Sequence, residues 1–403
     1  MRDNKLYTPD GVRDYLFDEC FNKRICERKI LESFIYSGYR EIETPLFEYY
    51  DVFTGGIGEV RQEHAIKFFD NQGRILTLRP DITMPIARVI SSKMSDEPLP
   101  LRICYLGDAF GFQTDDVRQR QFTQAGVELI GEKSAYADAE VIMLAINALK
   151  ACGLTDFIID IGQVGFFNGL AEEAGLTRSE AEQLREYVDS KDMLGVEMLT
   201  GKKGGTLADE IMRLPAMYGG EEVLESAAGI GGKSCQEALE NLKEIYSILC
   251  ECGYRDFISI DLGLLPSLDY YSGAIFRGIT RKVGKHILTG GRYDGLCAGF
   301  GRDVPATGFA MGISRILTAL EGQGVLYKRP VADVAVSAEP AARLMLAAYI
   351  SSAVKRGERA VWSHAKSERE LKSFAKRNGI AKTLYFKADG ETAEELLGGQ
   401  EDE

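Results

Sequence analysis

The feature that most constrains the fold is an interruption. Strand-like segments at 101–112, 121–130 and 156–161 give way at about Ala171 to a stretch rich in Glu, Leu, Ala and Lys, punctuated by glycines, that runs to Gly253. Strand patterns return at 256–263, 270–279 and 284–289. This order reads as one core drawn from 1–170 and 254–321, with 171–253 as a helical insertion subdomain. Around it, apolar spacing predicts a helix over 19–37 that stops at Gly38, a strand over 39–47 reaching Pro45, a strand at 73–79, and helices at 83–92 and 136–151. A further helix begins near Gly312. After a linker at 322–330, strand 332–337, helix 339–356, strand 359–363, helix 367–378 and strand 381–386 predict a small α/β domain over 331–389. Residues 390–403 read as an acidic tail.

Composition sets limits on function. The 403 residues are 45% hydrophobic and 27% charged, which is enough apolar mass for more than one core. Forty-eight Lys and Arg against 61 Asp and Glu leave a formal charge of −13, so the surface as a whole is not built to neutralise nucleic-acid phosphates. The apolar run 141–149 is far short of the ~20 residues of a membrane span and reads as a buried helix. The opening MRDNKLYTPDGVRD has no apolar signal core, so a cytoplasmic location is expected. Eight scattered cysteines read as free thiols, including the lone pair Cys250 and Cys252. His64, His286 and His364 lie far apart, so neither a metal site nor a cofactor is expected. Gly232-Lys233-Ser234 mimics the end of a phosphate loop, but Ala227 stands where that loop needs glycine.

Four segments carry the chemical signal. They are Leu78-Arg79-Pro80-Asp81-Ile82-Thr83; Arg118-Gln119-Arg120-Gln121-Phe122-Thr123-Gln124 with Glu128 beyond; Leu268-Asp269-Tyr270-Tyr271-Ser272-Gly273; and Gly290-Gly291-Arg292-Tyr293-Asp294-Gly295, followed by Gly312-Ile313-Ser314-Arg315. Singly, glycine pairs make turns and tyrosine pairs fill cores. In this order, after Thr8-Pro9-Asp10-Gly11-Val12-Arg13-Asp14, they resemble the histidyl-tRNA synthetase family over most of residues 5–320. The Arg-Pro-Asp-x-Thr spelling is more similar to the synthetase paralogues of histidine biosynthesis, the regulatory subunits of ATP phosphoribosyltransferase.

The resemblance implies an α+β fold: a class II aminoacyl-tRNA synthetase-like antiparallel sheet core with a helical insertion, plus a small C-terminal α/β domain. It implies that Asp81, Thr83 and Gln124 face the α-ammonium of L-histidine. Glu128 and Tyr270 or Tyr271 would hydrogen-bond the imidazole, and Gly290 and Gly291 would let the backbone approach the ligand. Arg118, Arg120 and Arg315 are retained. Departures from the synthetase pattern are equally specific. Gly111 and Gln113 replace the Arg and Glu of an F-R-x-E motif, Pro266 replaces a second arginine, and Ser314 replaces an acidic residue. Activation of an amino acid by ATP holds anion against anion, and losing one such donor costs ~10²–10³ in rate. The expectation is therefore a non-catalytic regulatory subunit that pairs with a short-form ATP phosphoribosyltransferase catalytic subunit. It would also pair with itself as a homodimer through 19–37 and 39–47. An active synthetase, or a degenerate paralogue acting as a sensor or structural module, are the alternatives. Over 341–385, ten Lys and Arg face three Glu. With few aromatics, this reads as a solvated face rather than a tRNA surface, and Trp362 and Phe374 read as core residues.

Overall fold

The computed structural model describes residues 4–54, 65–111, 119–200, 206–265, 270–281 and 283–397. The chain forms two compact units, 1–326 and 327–403.

The first unit is built on a nine-stranded sheet. Its order is Arg40–Glu41, Leu101–Phe110, Gln121–Ile130, Ala306–Gly312, Val283–Arg292, Ala274–Thr280, Ile158–Gln163, Ile258–Asp261 and Tyr218–Gly219. Pairing is antiparallel except at two places, where Arg40–Glu41 meets Leu101–Phe110 and Ile158–Gln163 meets Ile258–Asp261. Strands from before and after the helical stretch thus share one sheet. One face is covered by helices Phe17–Tyr36, Ala135–Ala151 and Ile313–Gly322 around a core that includes Phe34, Val127, Ile142 and Phe309. Helix Ala135–Ala151 is apolar on nearly every side, as a helix buried all round must be, and Ser134 caps it by accepting from the Ala137 N–H. The other face carries helix Thr83–Ser92 and a second core with Ile86, Ile90, Ile103 and Leu296.

The sequence between 171 and 253 forms helices, including the 19-residue Lys233–Glu251, but it does not close on itself. Leu184, Val188, Leu239 and Leu242 join the same apolar cluster as Ile159 and Phe276 of the sheet, and Tyr218–Gly219 extends the sheet edge. Residues 39–47 do not form one strand. Pairing breaks after Glu41 and resumes at Phe47–Tyr49 in a separate three-stranded sheet with Ile75–Leu78 and Lys67–Phe69. Pro45 cannot donate to a ladder, and the Thr44 and Pro45 carbonyls instead accept from the Arg79 guanidinium.

In the second unit, Ala360–Trp362, Val334–Ala338 and Lys382–Phe386 are parallel, with helices Arg343–Arg356 and Glu368–Arg377 between them. The tail reading needs correction. Thr392–Leu396 pairs antiparallel with Lys382–Phe386, because Lys382 and Lys372 neutralise Glu394 and Glu395 and Ala393 packs inward. Trp362 also departs from expectation, being 53% exposed, whereas Phe374 packs against the core of its unit. All eight cysteines are free. Among the described residues no helix is long and apolar enough to cross a membrane.

Candidate functional site

Sheet register lays out the site. Leu101–Phe110, Gln121–Ile130 and Ala306–Gly312 pair so that Ile103, Glu128 and Gly308 form one row, and Gly107, Gln124 and Gly312 another. Side chains alternate along a strand, so Glu128 and Gln124 emerge on the same face as Tyr105. The Arg79-Pro80-Asp81-Ile82 turn and the start of helix Thr83–Ser92 come down onto this face.

Glu128 is 1% exposed. Thr83 Oγ1 donates to its Oε1 at 2.8 Å, and the Tyr293 hydroxyl donates to Oε2. A Cβ on Gly308 would lie 2.0 Å from Glu128 Oε2, so only glycine leaves room for this carboxyl beside its neighbouring strand. Burial pushes the Glu128 carboxyl up to about 8, against the pull of the two donors. Burial also raises Asp81, although its carboxylate accepts from the Met84 N–H at 2.8 Å and so caps the first turn of the helix. The phenols of Tyr105, Tyr270 and Tyr293 are pushed far above their usual range by the same exclusion from water. Tyr270 and Tyr271 rings lie 4.6 Å apart, and Tyr270 packs edge-on to Tyr293 at 5.7 Å.

Two polar atoms in this setting have no partner. Gln124 Oε1 and the Tyr105 hydroxyl oxygen are buried without a hydrogen bond. Buried acceptors are almost always satisfied, so an orphan on the face that carries two buried acids is unusual.

Five residues singled out in the sequence therefore gather in one place, Asp81, Thr83, Glu128, Tyr270 and Tyr271, and Gln124 lies further along the same sheet face. Gly291 borders them, since its missing Cβ is the space taken by the Tyr271 ring. Gly290 faces the opposite side, where the Phe276 ring fills the corresponding space. Arg315 donates to the His286 carbonyl at 2.9 Å, and the Arg120 N–H donates to the Gly11 carbonyl at 2.7 Å. Arg118, Gln113 and Pro266 lie outside the described residues. Gly111 closes the strand pair through its N–H to the Arg120 carbonyl and presents no side chain. Ser314 is engaged too, accepting from Gln119 Nε2 at 3.1 Å.

Two participants escaped the sequence reading. Tyr293 stood inside the Gly-Gly-Arg-Tyr segment, but nothing local says that it folds back onto Glu128. Arg79 is 3% exposed and donates to the carbonyls of Asp108 and Thr44 and to Thr44 Oγ1. It bolts the turn bearing Asp81 and Thr83 to the sheet, using a planar fork that suits carbonyl acceptors on two sides. Its buried, hydrogen-bonded guanidinium gives the Arg-Pro-Asp spelling a structural reason.

Fold and site together define a class II synthetase-like protein. The histidyl-tRNA synthetase family model matches residues 11–316. A Bacillus halodurans structure described as an ATP phosphoribosyltransferase regulatory subunit/histidyl-tRNA synthetase superimposes with a TM-score of 0.83 at 28% identity, covering 94% of this chain and 98% of that one. The histidyl-tRNA synthetase of Nostoc shares the fold at a TM-score of 0.80 and 19% identity, over 97% of this chain and 96% of that one. Nearer in sequence are proteins named ATP phosphoribosyltransferase regulatory subunit. That of Acetivibrio thermocellus is 48% identical over 83% of this chain and 81% of its own. That of Clostridium acetobutylicum is 37% identical over 98% and 99%. The chain belongs to the family of ATP phosphoribosyltransferase regulatory subunits, a non-catalytic branch of the histidyl-tRNA synthetase fold.

Proposed function

We propose that the chain binds L-histidine in the Glu128 cluster and that this binding adjusts the activity of a separate short-form ATP phosphoribosyltransferase catalytic subunit, as feedback from the pathway's end product. The observation that carries the reading is a sheet face that buries the acids Asp81 and Glu128 and, further along the same face, leaves Gln124 Oε1 buried without a hydrogen bond. An ammonium brings three N–H donors and a positive charge, and it would satisfy the orphan while relieving Asp81, an acid that burial disfavours. At the other end, Glu128 and the tyrosines offer both a donor and an acceptor to an imidazole. Histidine that favours one arrangement of the complex shifts the equilibrium toward it, by no more than its differential affinity.

The same reading leaves out amino-acid activation. Gly111 offers no guanidinium, and Ser314 carries no charge. The tRNA reading is also disfavoured, because Arg356, Arg359, Lys372, Lys382 and Lys387 of the C-terminal unit are each paired with a carboxylate. A homodimer is supported by exposed apolar side chains at Ile35, Tyr36, Leu46 and Phe47.

Calorimetry with L-histidine tests the pocket. Thr83→Val and Gln124→Ala should each weaken binding by about tenfold, the worth of one hydrogen bond to a charged group. Absence of heat from the unsubstituted protein, or affinities indifferent to both changes, would overturn the assignment.

A further inference from the structure

The C-terminal unit carries a cleft of about 750 Å³ that the regulatory reading does not use. It lies between the loop leaving strand Ala360–Trp362 and helix Glu368–Arg377, and it is walled by Trp362, Ser363, His364, Arg369, Phe374 and Arg377. This is the carboxyl end of a parallel strand, where open α/β sheets present ligands.

Three observations there are independent of one another. Trp362 is the only tryptophan of the chain, and it stands 53% exposed at the cleft wall. Its ring is tilted by 42° against His364, with centroids 5.6 Å apart, so two aromatic surfaces are held ready rather than packed away. Arg369 and Arg377 pair with no carboxylate among the described residues, while Lys372 and Lys387 of the same unit do. The one acid lining the cleft, Glu370, is occupied by accepting from the Lys366 N–H at 2.7 Å. A helix rises about 1.5 Å per residue, so the arginines lie about 12 Å apart along its axis, on either side of Phe374. Open indole, a second ring and unspent guanidiniums together fit a flat ring that carries phosphate.

We propose that this cleft binds a purine nucleotide, with the base laid on Trp362 and His364 and the phosphates held by Arg369 and Arg377. A purine covers more of the indole than a pyrimidine does. The cleft's volume is that of a small-molecule site, inside the usual ~300–1,000 Å³. Lys372, Lys382 and Lys387, outside the cleft, are paired with acids, so they lay no track for the backbone of a nucleic-acid strand.

The sole tryptophan makes the test direct. The full chain is titrated with ATP, and separately with AMP, while tryptophan fluorescence is followed with excitation at the red edge of its band. Saturable quenching is expected, with half-saturation at or below about 1 mM. The Arg369→Ala/Arg377→Ala variant should raise that concentration by about tenfold with its circular dichroism and melting unchanged. Calorimetry on Trp362→Phe should show binding retained but weaker, since a smaller ring remains to stack on. Three results would each overturn the proposal: no saturable change with either nucleotide, a response unaltered in the double variant, or quenching by a single-stranded oligonucleotide but by neither mononucleotide.

Discussion

At neutral pH the Glu128 carboxyl, held up to about 8 by burial, keeps its proton. In the unfolded chain the same group titrates near 4.5. The folded state therefore holds a proton that the unfolded state gives up. The stability linked to this group is complete below the unfolded value and is lost as pH rises through about 8. Thermal unfolding followed from about pH 5 to about pH 9 should show the midpoint falling as pH rises to about 8 and levelling off beyond it. Glu128→Gln has no proton to lose, so its midpoint should fall less over the same range. Parallel profiles for the two proteins would contradict the buried, protonated state. This much of the site was legible at the residue scale. Residue type and order pick out Asp81, Thr83, Gln124 and Glu128; Asp81, Thr83 and Glu128 do converge, and Gln124 shares their sheet face. The contact between Tyr293 and Glu128 was not legible, because it joins residues far apart in the chain through strand register, which no local pattern encodes.

Elements were readable where side-chain periodicity is undiluted. Helix Thr83–Ser92 and strand Gln121–Ile130 match their predicted spans. Strand Ala306–Gly312 was not read as a strand, although it supplies the floor beside Glu128. Its two interior and terminal glycines, Gly308 and Gly312, depress β-propensity, yet Gly308 is there because the Glu128 carboxyl needs the space. The signal was erased by the site itself. Thr392–Leu396 was hidden for a different reason: its acids read as a solvated tail until partner lysines came from another strand and helix. The segment after helix Phe17–Tyr36 bears on self-association. Ile42 packs into the core beneath it, so it is a poor probe of an interface. Leu46 and Phe47 are exposed, 49% and 53%. Leu46→Glu/Phe47→Glu should convert a dimer to a monomer in light scattering, with the thermal midpoint of the fold retained. An unchanged mass would place the two-fold contact elsewhere.

At the scale of the whole molecule, a synthetase frame is kept, and the resemblance implies that Gly111 and Ser314 stand where a synthetase would clamp ATP against a carboxylate. Gly111 ends its strand without a side chain, and Ser314 is spent on Gln119. The polar cluster is kept intact and dry. On the proposed reading, the energy of histidine binding is free to bias a partner. Neither the partner's docking surface nor the sign of its response follows from one chain's sequence, since both depend on contacts that another molecule supplies. The most direct measurement is reconstitution: a short-form ATP phosphoribosyltransferase catalytic subunit assayed alone, with this chain, and with this chain plus L-histidine. Activity is expected only in the presence of this chain, suppressed by histidine, with Gln124→Ala supporting the activity but needing about tenfold more histidine to suppress it. Equal activity with and without the chain, or suppression by histidine that Gln124→Ala leaves untouched, would contradict the proposed role.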